Sequence, residues 1–193
     1  MGALLQNFDI LVGCLLSDEK GGNIVACGLV KFVSTFEFLV VSHFVSDVMG
    51  IVCRVSRVFQ REDLTFTVVK EALGPACSAI LDMKSSSGPM LQSFLDKVPS
   101  DVEESGQFLF NGNLIKYSSA QRSSFDSLRL KFIDQLVSNL QGRFPSRNVF
   151  QALSIFDTQL IPSSGSQELE SYGRVQVGFL QGILVRTGVF IKL

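Results

Sequence analysis

His43 and Asp47 are the two residues whose types and spacing come nearest to a chemical site in this sequence. Four residues apart, they share one face of a helix and could present two ligands to a metal ion. A protein metal site usually needs at least a third ligand, and His43 is the single histidine of the chain. We therefore expect no metal site, and we interpret the pair as a local side-chain interaction or as a histidine on a polar helix face.

The carboxylates and glycines do not form a recognisable catalytic arrangement. Glu103 and Glu104 are adjacent, while Glu168 and Glu170 are two residues apart on a predicted helix. Neither spacing directs two carboxylates to one point. The phosphate-binding patterns G-x-x-x-x-G-K-[ST] and G-x-G-x-x-G are absent from the sequence. We expect a protein that is not an enzyme, has no cofactor, and offers no indication of a small-molecule substrate.

Three arginines form the one basic feature. Arg54, Arg57 and Arg61 are spaced i, i+3 and i+7, which places them along one stripe of a predicted helix. Such a stripe could contact a phosphate backbone, could face solvent, or could pair with the acidic run 101–104. A formal net charge of -1 gives the chain no overall electrostatic preference for nucleic acid, so DNA binding is an alternative that depends on these arginines.

The four cysteines have no C-x-x-C spacing of the kind used for zinc ligation or redox chemistry; they are Cys14, Cys27, Cys53 and Cys77. We expect buried, reduced thiols, which are typical of a nuclear or cytoplasmic protein. The apolar stretch at residues 1–16 has no basic segment before it, so we expect no secretion signal.

The most apolar run of the chain, residues 36–53, includes Glu37, His43 and Asp47. Each of these side chains is costly at the centre of a bilayer. We therefore predict a buried amphipathic helix and no membrane association.

Only 18% of the 193 residues are charged, and 46% are hydrophobic. About 25% charged residues is usual for a soluble domain. Two explanations stay open at this point. Part of the surface could be covered by a protein partner or by self-association, or the domain could simply bury its apolar residues well.

Apolar residues that recur every three or four positions predict an all-α fold, an array of about six or seven amphipathic helices. The clearest helix spans 35–61, with an apolar arc opposite the three arginines, His43 and Asp47; the arc consists of Val41, Phe44, Val48, Val52, Val55 and Phe59. Further helices are predicted at 3–16, 23–34, 66–84, 90–98, 120–144 and 147–156.

Local breaking and capping signals add four expectations. Pro75 predicts a kink or break in the helix at 66–84, and Ser146 is a candidate N-cap for the helix at 147–156. An S-x-x-Q capping box at Ser164 and Gln167 predicts a last helix that runs to about Val185. A loop is predicted at 99–112, and a short extended piece at 107–110 stays open as an alternative within it.

Breaks in composition divide the chain into three segments. Residues 1–22 form an N-terminal helix and linker, residues 23–160 a helical core, and residues 161–193 a linker, a last helix and an apolar tail.

Several short motifs, taken in order, resemble hAT-type transposases and the vertebrate zinc-finger and SUMO-ligase-like proteins derived from them. They are His43-Phe44 with Ser46-Asp47, then Ser56 to Gln60, Gly88 to Leu95, Phe132 to Pro145, Ala152 to Asp157 with Leu160 and Pro162, and Tyr172-Gly173. Together these matches cover roughly residues 24–180.

The resemblance implies the helical insertion of an RNase H-like catalytic domain. It implies no catalytic residue here, because that family holds its metal ions on carboxylates outside the insertion, and two-metal chemistry needs converging carboxylates. The expectation is a truncated or domesticated product that acts as a non-catalytic helical interaction module. Its predicted partner is a protein or a second copy, with DNA possible and a nuclear or cytoplasmic location.

Overall fold

The computed structural model describes residues 2–62, 65–99, 105–142 and 147–186. Within these ranges the chain is mostly helical, with nine α-helices and one two-stranded antiparallel sheet. The elements in chain order are α1 (Gly2–Gln6), α2 (Phe8–Lys20), α3 (Ile24–Val33), α4 (Phe36–Phe59), α5 (Phe66–Asp82), α6 (Pro89–Leu95), β1 (Ser105–Phe110), β2 (Asn113–Ser118), α7 (Ser119–Gly142), α8 (Arg147–Leu153) and α9 (Arg174–Arg186). The predicted predominance of helices is confirmed, whereas the helix count was too low and the hairpin was missed.

Contacts divide the chain into two compact units. The first unit contains Met1–Arg54 and Ser78–Val137, and the second contains Val55–Cys77 and Ser138–Leu193. Because α4, α5 and α7 each continue from one unit into the other, the units are interleaved along the sequence. The segment boundaries predicted after residues 22 and 160 stay predictions.

An aromatic cluster occupies the core of the first unit. The ring of Phe94 lies 5.7 Å from Phe36 and 5.2 Å from Phe110, measured between ring centroids. Phe110 also meets Phe8 at 6.0 Å. These tilted and edge-to-face arrangements are the favourable ones for aromatic pairs. The cluster therefore joins α2, α4, α6 and β1 through ring contacts.

The helices α2 and α3 are joined by a short turn that contains Gly22, whose φ is +87°. Asn23 is the N-cap of α3, because its Oδ1 accepts hydrogen bonds from the backbone N–H groups of Val25 (3.0 Å) and Ala26 (3.3 Å). Ala26 and Val33 are buried, which fixes the inner face of α3. The predicted helix at 23–34 is confirmed, and α2 before it ends at Lys20.

The long helix α4 has the bounds that its periodicity predicted to within two residues at each end. Its N-terminal half is buried on more than one side, since Phe36, Leu39 and Val40 have no exposed surface and Ser42, His43 and Asp47 are also buried. The prediction that His43 and Asp47 lie on a polar face was therefore wrong. The helical wheel of α4 shows one apolar arc. It cannot show that other elements of the fold cover the opposite face, on which His43 and Asp47 lie.

The predicted extended piece at 107–110 is confirmed as part of β1, but it belongs to a β-hairpin that also takes in residues 113–118 and that was not predicted. The turn residues Asn111 and Gly112 have φ angles of +48° and +77°, as a two-residue hairpin turn requires. Cross-strand pairs run from Ser105↔Ser118 to Phe110↔Asn113. On one face Phe108, Phe110 and Ile115 are buried. The backbone N–H of Lys116 donates to the Ser34 carbonyl at 3.0 Å, which attaches β2 to the end of α3.

In the second unit α8 packs against α9. The helix predicted at 147–156 is α8 followed by a 3-10 turn at Ser154–Phe156; its proposed cap, Ser146, lies outside the described residues. The Tyr172 hydroxyl donates to the Ile155 carbonyl at 3.3 Å. The last helix begins at Arg174, so the capping box at Ser164 and Gln167 does not start it. Turns fill 164–173, and Gly165 and Gly173 take positive φ angles there.

Pro75 lies inside α5, which continues from Phe66 to Asp82 without the predicted break. Proline cannot donate the backbone hydrogen bond to the carbonyl four residues earlier, and its ring crowds that carbonyl. Because Pro75 is exposed, these costs are not balanced by burial of its ring.

We expect Pro75→Ala to raise the free energy of unfolding by about 1–2 kcal/mol, which is the helix gain less the entropy that proline removes from the unfolded chain. Urea denaturation would measure the change. Pro99→Ala is the matched control, because Pro99 is exposed and lies outside any helix, and it should change stability little. A lower stability for Pro75→Ala would contradict a continuous α5.

Candidate functional site

Asp47 lies in the first unit with its carboxylate at the beginning of α6. Its Oδ1 accepts a hydrogen bond from the Met90 N–H at 3.0 Å, and its Oδ2 accepts one from the Leu91 N–H at 2.9 Å. The N-cap residue of α6 is Gly88, which has no side chain to bind these donors. Asp47 supplies from α4 the cap that the local sequence lacks, and its charge suits the positive end of the helix dipole.

Gly88 permits this approach because it has no Cβ. A Cβ built at this position would lie 2.5 Å from both Cγ and Oδ2 of Asp47. Such a distance is far below van der Waals contact. The glycine is therefore required by packing against Asp47, and its own φ of -69° is ordinary for any residue.

His43 lies one turn before Asp47 and is 6% exposed. Its ring stacks on Phe94 with centroids 4.7 Å apart, and its Nδ1 is 2.7 Å from the Leu39 carbonyl oxygen. Burial lowers the pKa of His43 from its ordinary value of 6.5, while the bond to Leu39 partly opposes this effect. The predicted local pair of His43 and Asp47 is thus part of a larger buried polar cluster, which sequence spacing alone could not reveal.

Within the described ranges, no group of three or more His, Cys, Asp or Glu side chains is placed to hold a metal ion. Glu168 and Glu170 are exposed and lie in turns, so their predicted position on a helix was wrong. Glu103 and Glu104 lie outside the described residues.

The three candidate DNA-contact arginines are not all on one helix. Arg54 and Arg57 are exposed, one turn apart near the C-terminal end of α4. Arg61 is exposed but lies two residues after Phe59, where α4 ends, and it already takes part in an interaction within the chain. The predicted stripe is therefore reduced to two arginines on α4. The acidic run 101–104, their alternative partner, is outside the described residues.

The cysteines differ in burial. Cys77 is buried, Cys27 is half-buried, and Cys14 and Cys53 are exposed. The prediction of four buried thiols was therefore wrong for Cys14 and Cys53. All four are free thiols.

The outer face of α3 is an apolar surface, which we call the α3 face. Val25, Gly28, Leu29 and Phe32 follow one another at spacings of 3, 1 and 3, which is a single stripe of an α-helix. Ile24 is 87% exposed, Val25 70%, Phe32 61% and Leu29 44%. Phe32 is held in place by an edge-to-face contact with Phe38, at 5.2 Å between centroids. Nothing lies within 4 Å of a Cβ built on Gly28.

Among the described residues, α4 is the helix that is long and apolar enough to cross a membrane. Half of its most apolar window is buried inside the fold. The core helix of a globular domain satisfies the same criteria, so this is weak evidence, and the expected absence of membrane association stays a prediction.

No protein-family model matches the sequence, and no solved structure shows a significant match to the fold. The resemblance to hAT-type transposases therefore stays a hypothesis that depends on the motifs themselves. Two of those motifs meet in the structure, because Asp47 belongs to the first motif and Gly88, Leu91 and Phe94 belong to the third.

We expect Gly88→Ala to lower the free energy of unfolding by about 1–3 kcal/mol, since its methyl group must displace the Asp47 carboxylate from α6. Gly50→Ala is the matched control, because a Cβ at Gly50 on α4 meets nothing within 4 Å. That variant should be neutral or gain up to about 1 kcal/mol of helix propensity. Equal effects of the two substitutions in urea denaturation would contradict the cap.

Proposed function

We propose that this chain is a non-catalytic helical interaction module, derived from the helical insertion of a hAT-like transposase. The predominance of helices agrees with such an origin. The contact between Asp47 and the first turn of α6 also supports it, because that contact gives the shared motif residues a joint structural role. One observation supports the proposal that the chain binds a partner, namely the exposed apolar α3 face.

The size of the α3 face suits a weak, reversible interface. Side chains of this kind at these exposures leave roughly 400–500 Å² of apolar surface in water. That area equals the largest patch of a typical monomer and about half of one side of a standard protein interface. An association through this face alone should therefore be weak, with a dissociation constant on the order of micromolar or higher.

The partner that we propose for the α3 face is α3 of a second copy. The stripe of Val25, Gly28, Leu29 and Phe32 carries no charge that a partner would have to match. Gly28 costs about 1 kcal/mol of helix propensity relative to Ala, and no atom of the described residues lies within 4 Å of a Cβ built there. A glycine between large apolar residues lets a second helix approach closely, and a two-fold axis can use the same patch on both copies.

We expect the purified chain to form a concentration-dependent dimer, and Val25→Ser/Leu29→Gln to abolish it. Burial of the apolar face drives the association, so the polar side chains remove its source. Sedimentation equilibrium over micromolar to millimolar concentrations measures it.

The matched control is Leu109→Ser/Leu114→Gln, which changes a cross-strand pair on the exposed face of the hairpin. It should dimerise as the unchanged chain does. A strictly monomeric chain over the whole concentration range would refute pairing through α3, and loss of the dimer in both double variants would show that the α3 face is not its specific site.

The exposed arginines on α4 favour DNA as a second candidate partner. Arg54 and Arg57 lie one turn apart, so both can reach successive phosphates of one strand. The net charge of -1 limits the attraction to this local patch.

If DNA is bound, Arg54→Ala/Arg57→Ala should weaken binding about tenfold or more and reduce the slope of log K against log[salt] by about 2. Fluorescence anisotropy with a DNA duplex at several salt concentrations measures both. Arg122→Ala, an exposed arginine on α7, is the control and should change little. Affinity that does not vary with salt would exclude this candidate.

A further inference from the structure

His43 lies at the point in the first unit where α4, α6 and β1 meet. Its ring is nearly parallel to Phe94 of α6, at an interplanar angle of 18°. Phe110 of β1 presents its edge to the imidazole with centroids 6.0 Å apart. The imidazole thus contacts two aromatic rings from two different elements. A change in its charge therefore alters its interaction with both rings.

The hydrogen bond of His43 defines its uncharged form. A carbonyl oxygen can only accept, so Nδ1 donates its proton to Leu39 across 2.7 Å. A second proton would have to go to Nε2, which adds a full charge to a site that is 6% exposed. A cation on an aromatic face gains some attraction, but the loss of hydration on burial is the largest influence on this ring.

Two charged groups face the imidazole. Asp47 on α4 attracts a proton to the imidazole, and Lys97, after the end of α6, repels it. Both oxygens of Asp47 are already bonded to the first turn of α6. The Lys97 ammonium lies 5.3 Å from the Phe110 ring centroid, beside the same aromatic cluster. β1 contributes the Phe110 ring to this site.

We propose that this cluster is an acid-sensitive junction, in which a proton taken up by His43 separates α6 from α4 where Asp47 holds Met90 and Leu91. The coupling follows from geometry, because Phe94, which stacks on His43, belongs to the same short helix as Met90 and Leu91. Charging the ring favours its exposure to water, and exposure requires Phe94 to move with α6.

The direction of the pH dependence follows from the two states. In the open state His43 is in water with an ordinary pKa of about 6.5, whereas burial lowers its pKa in the closed state. At pH 7.5 and above the imidazole is mostly neutral in both states, and the junction has nearly its full stability. As the pH falls through 6.5 the open state takes up the proton first, so the closed state loses stability until the lowered pKa is passed.

The chain has one histidine, so its imidazole resonances can be followed by NMR without ambiguity. We expect the pKa of His43 to lie below 6.5. The protection of the Met90 and Leu91 amides against hydrogen exchange, corrected for the intrinsic rate, should fall about three- to tenfold between pH 7.5 and 5.5. The amides of α9, in the second unit, serve as the internal reference and should keep their protection.

His43→Phe tests the assignment to the imidazole. A phenyl ring keeps the shape and the stacking on Phe94, and it cannot titrate. In this variant the protection of Met90 and Leu91 should not change between the two pH values. The same loss in His43→Phe would assign the effect to a carboxylate and overturn the proposal. A histidine pKa at or above 6.5 in the unchanged chain would overturn it too, and that measurement does not depend on whether the variant folds.

Discussion

The carboxylate of Asp47 is the interaction on which the arrangement of the first unit depends. A buried charge costs several kcal/mol unless hydrogen bonds replace its hydration, and here two backbone N–H groups of α6 do so. These donors need an acceptor because Gly88 has no side chain to cap the helix. The position of α6 then determines that of Phe94, whose ring meets Phe36, His43 and Phe110. One local requirement, the cap of a short helix, thus organises the aromatic core.

The same requirement divides α4 into two parts with different roles. Around Asp47 the helix is covered on several sides, so its polar residues there stabilise the interior. Near its C-terminal end Arg54 and Arg57 are exposed and available for binding. The exposed α3 face is likewise separate from the buried cluster, since the inner residues of α3 are Ala26 and Val33. Residues that hold the fold together and residues that could bind a partner are therefore different sets, and substitutions can test them independently.

The bounds of α3, α4 and α7 were predicted to within about two residues, and α4 buries much of the arc that repeats every three to four positions. Periodicity failed to predict burial where the contact that covers a residue comes from a segment far away in the sequence. Asp47 and Leu91 are 44 residues apart, and a helical wheel cannot place α6 over a polar arc. The hairpin was missed for a different reason. Asn111-Gly112 between alternating apolar residues is a strong hairpin signal, and the predicted loop at 99–112 does not take it into account. The capping box at Ser164 does not begin a helix, because the chain forms turns there in which Gly165 and Gly173 have positive φ angles.

The resemblance to hAT-type transposases gains a physical interpretation from this core. Asp47, Gly88, Leu91 and Phe94 are motif residues, and all of them act in packing, since Leu91 and Phe94 are 1% exposed. For the Asp47 carboxylate to cap α6, the residue at the N-cap must be a glycine, and the residues three and six positions later pack in the core. The spacing of these four residues is set by the contact between α4 and α6. It carries no information about a partner, because these side chains do not reach the surface. A surface for an interaction must therefore be sought among exposed residues, and the stripe of α3 centred on Gly28 is such a surface.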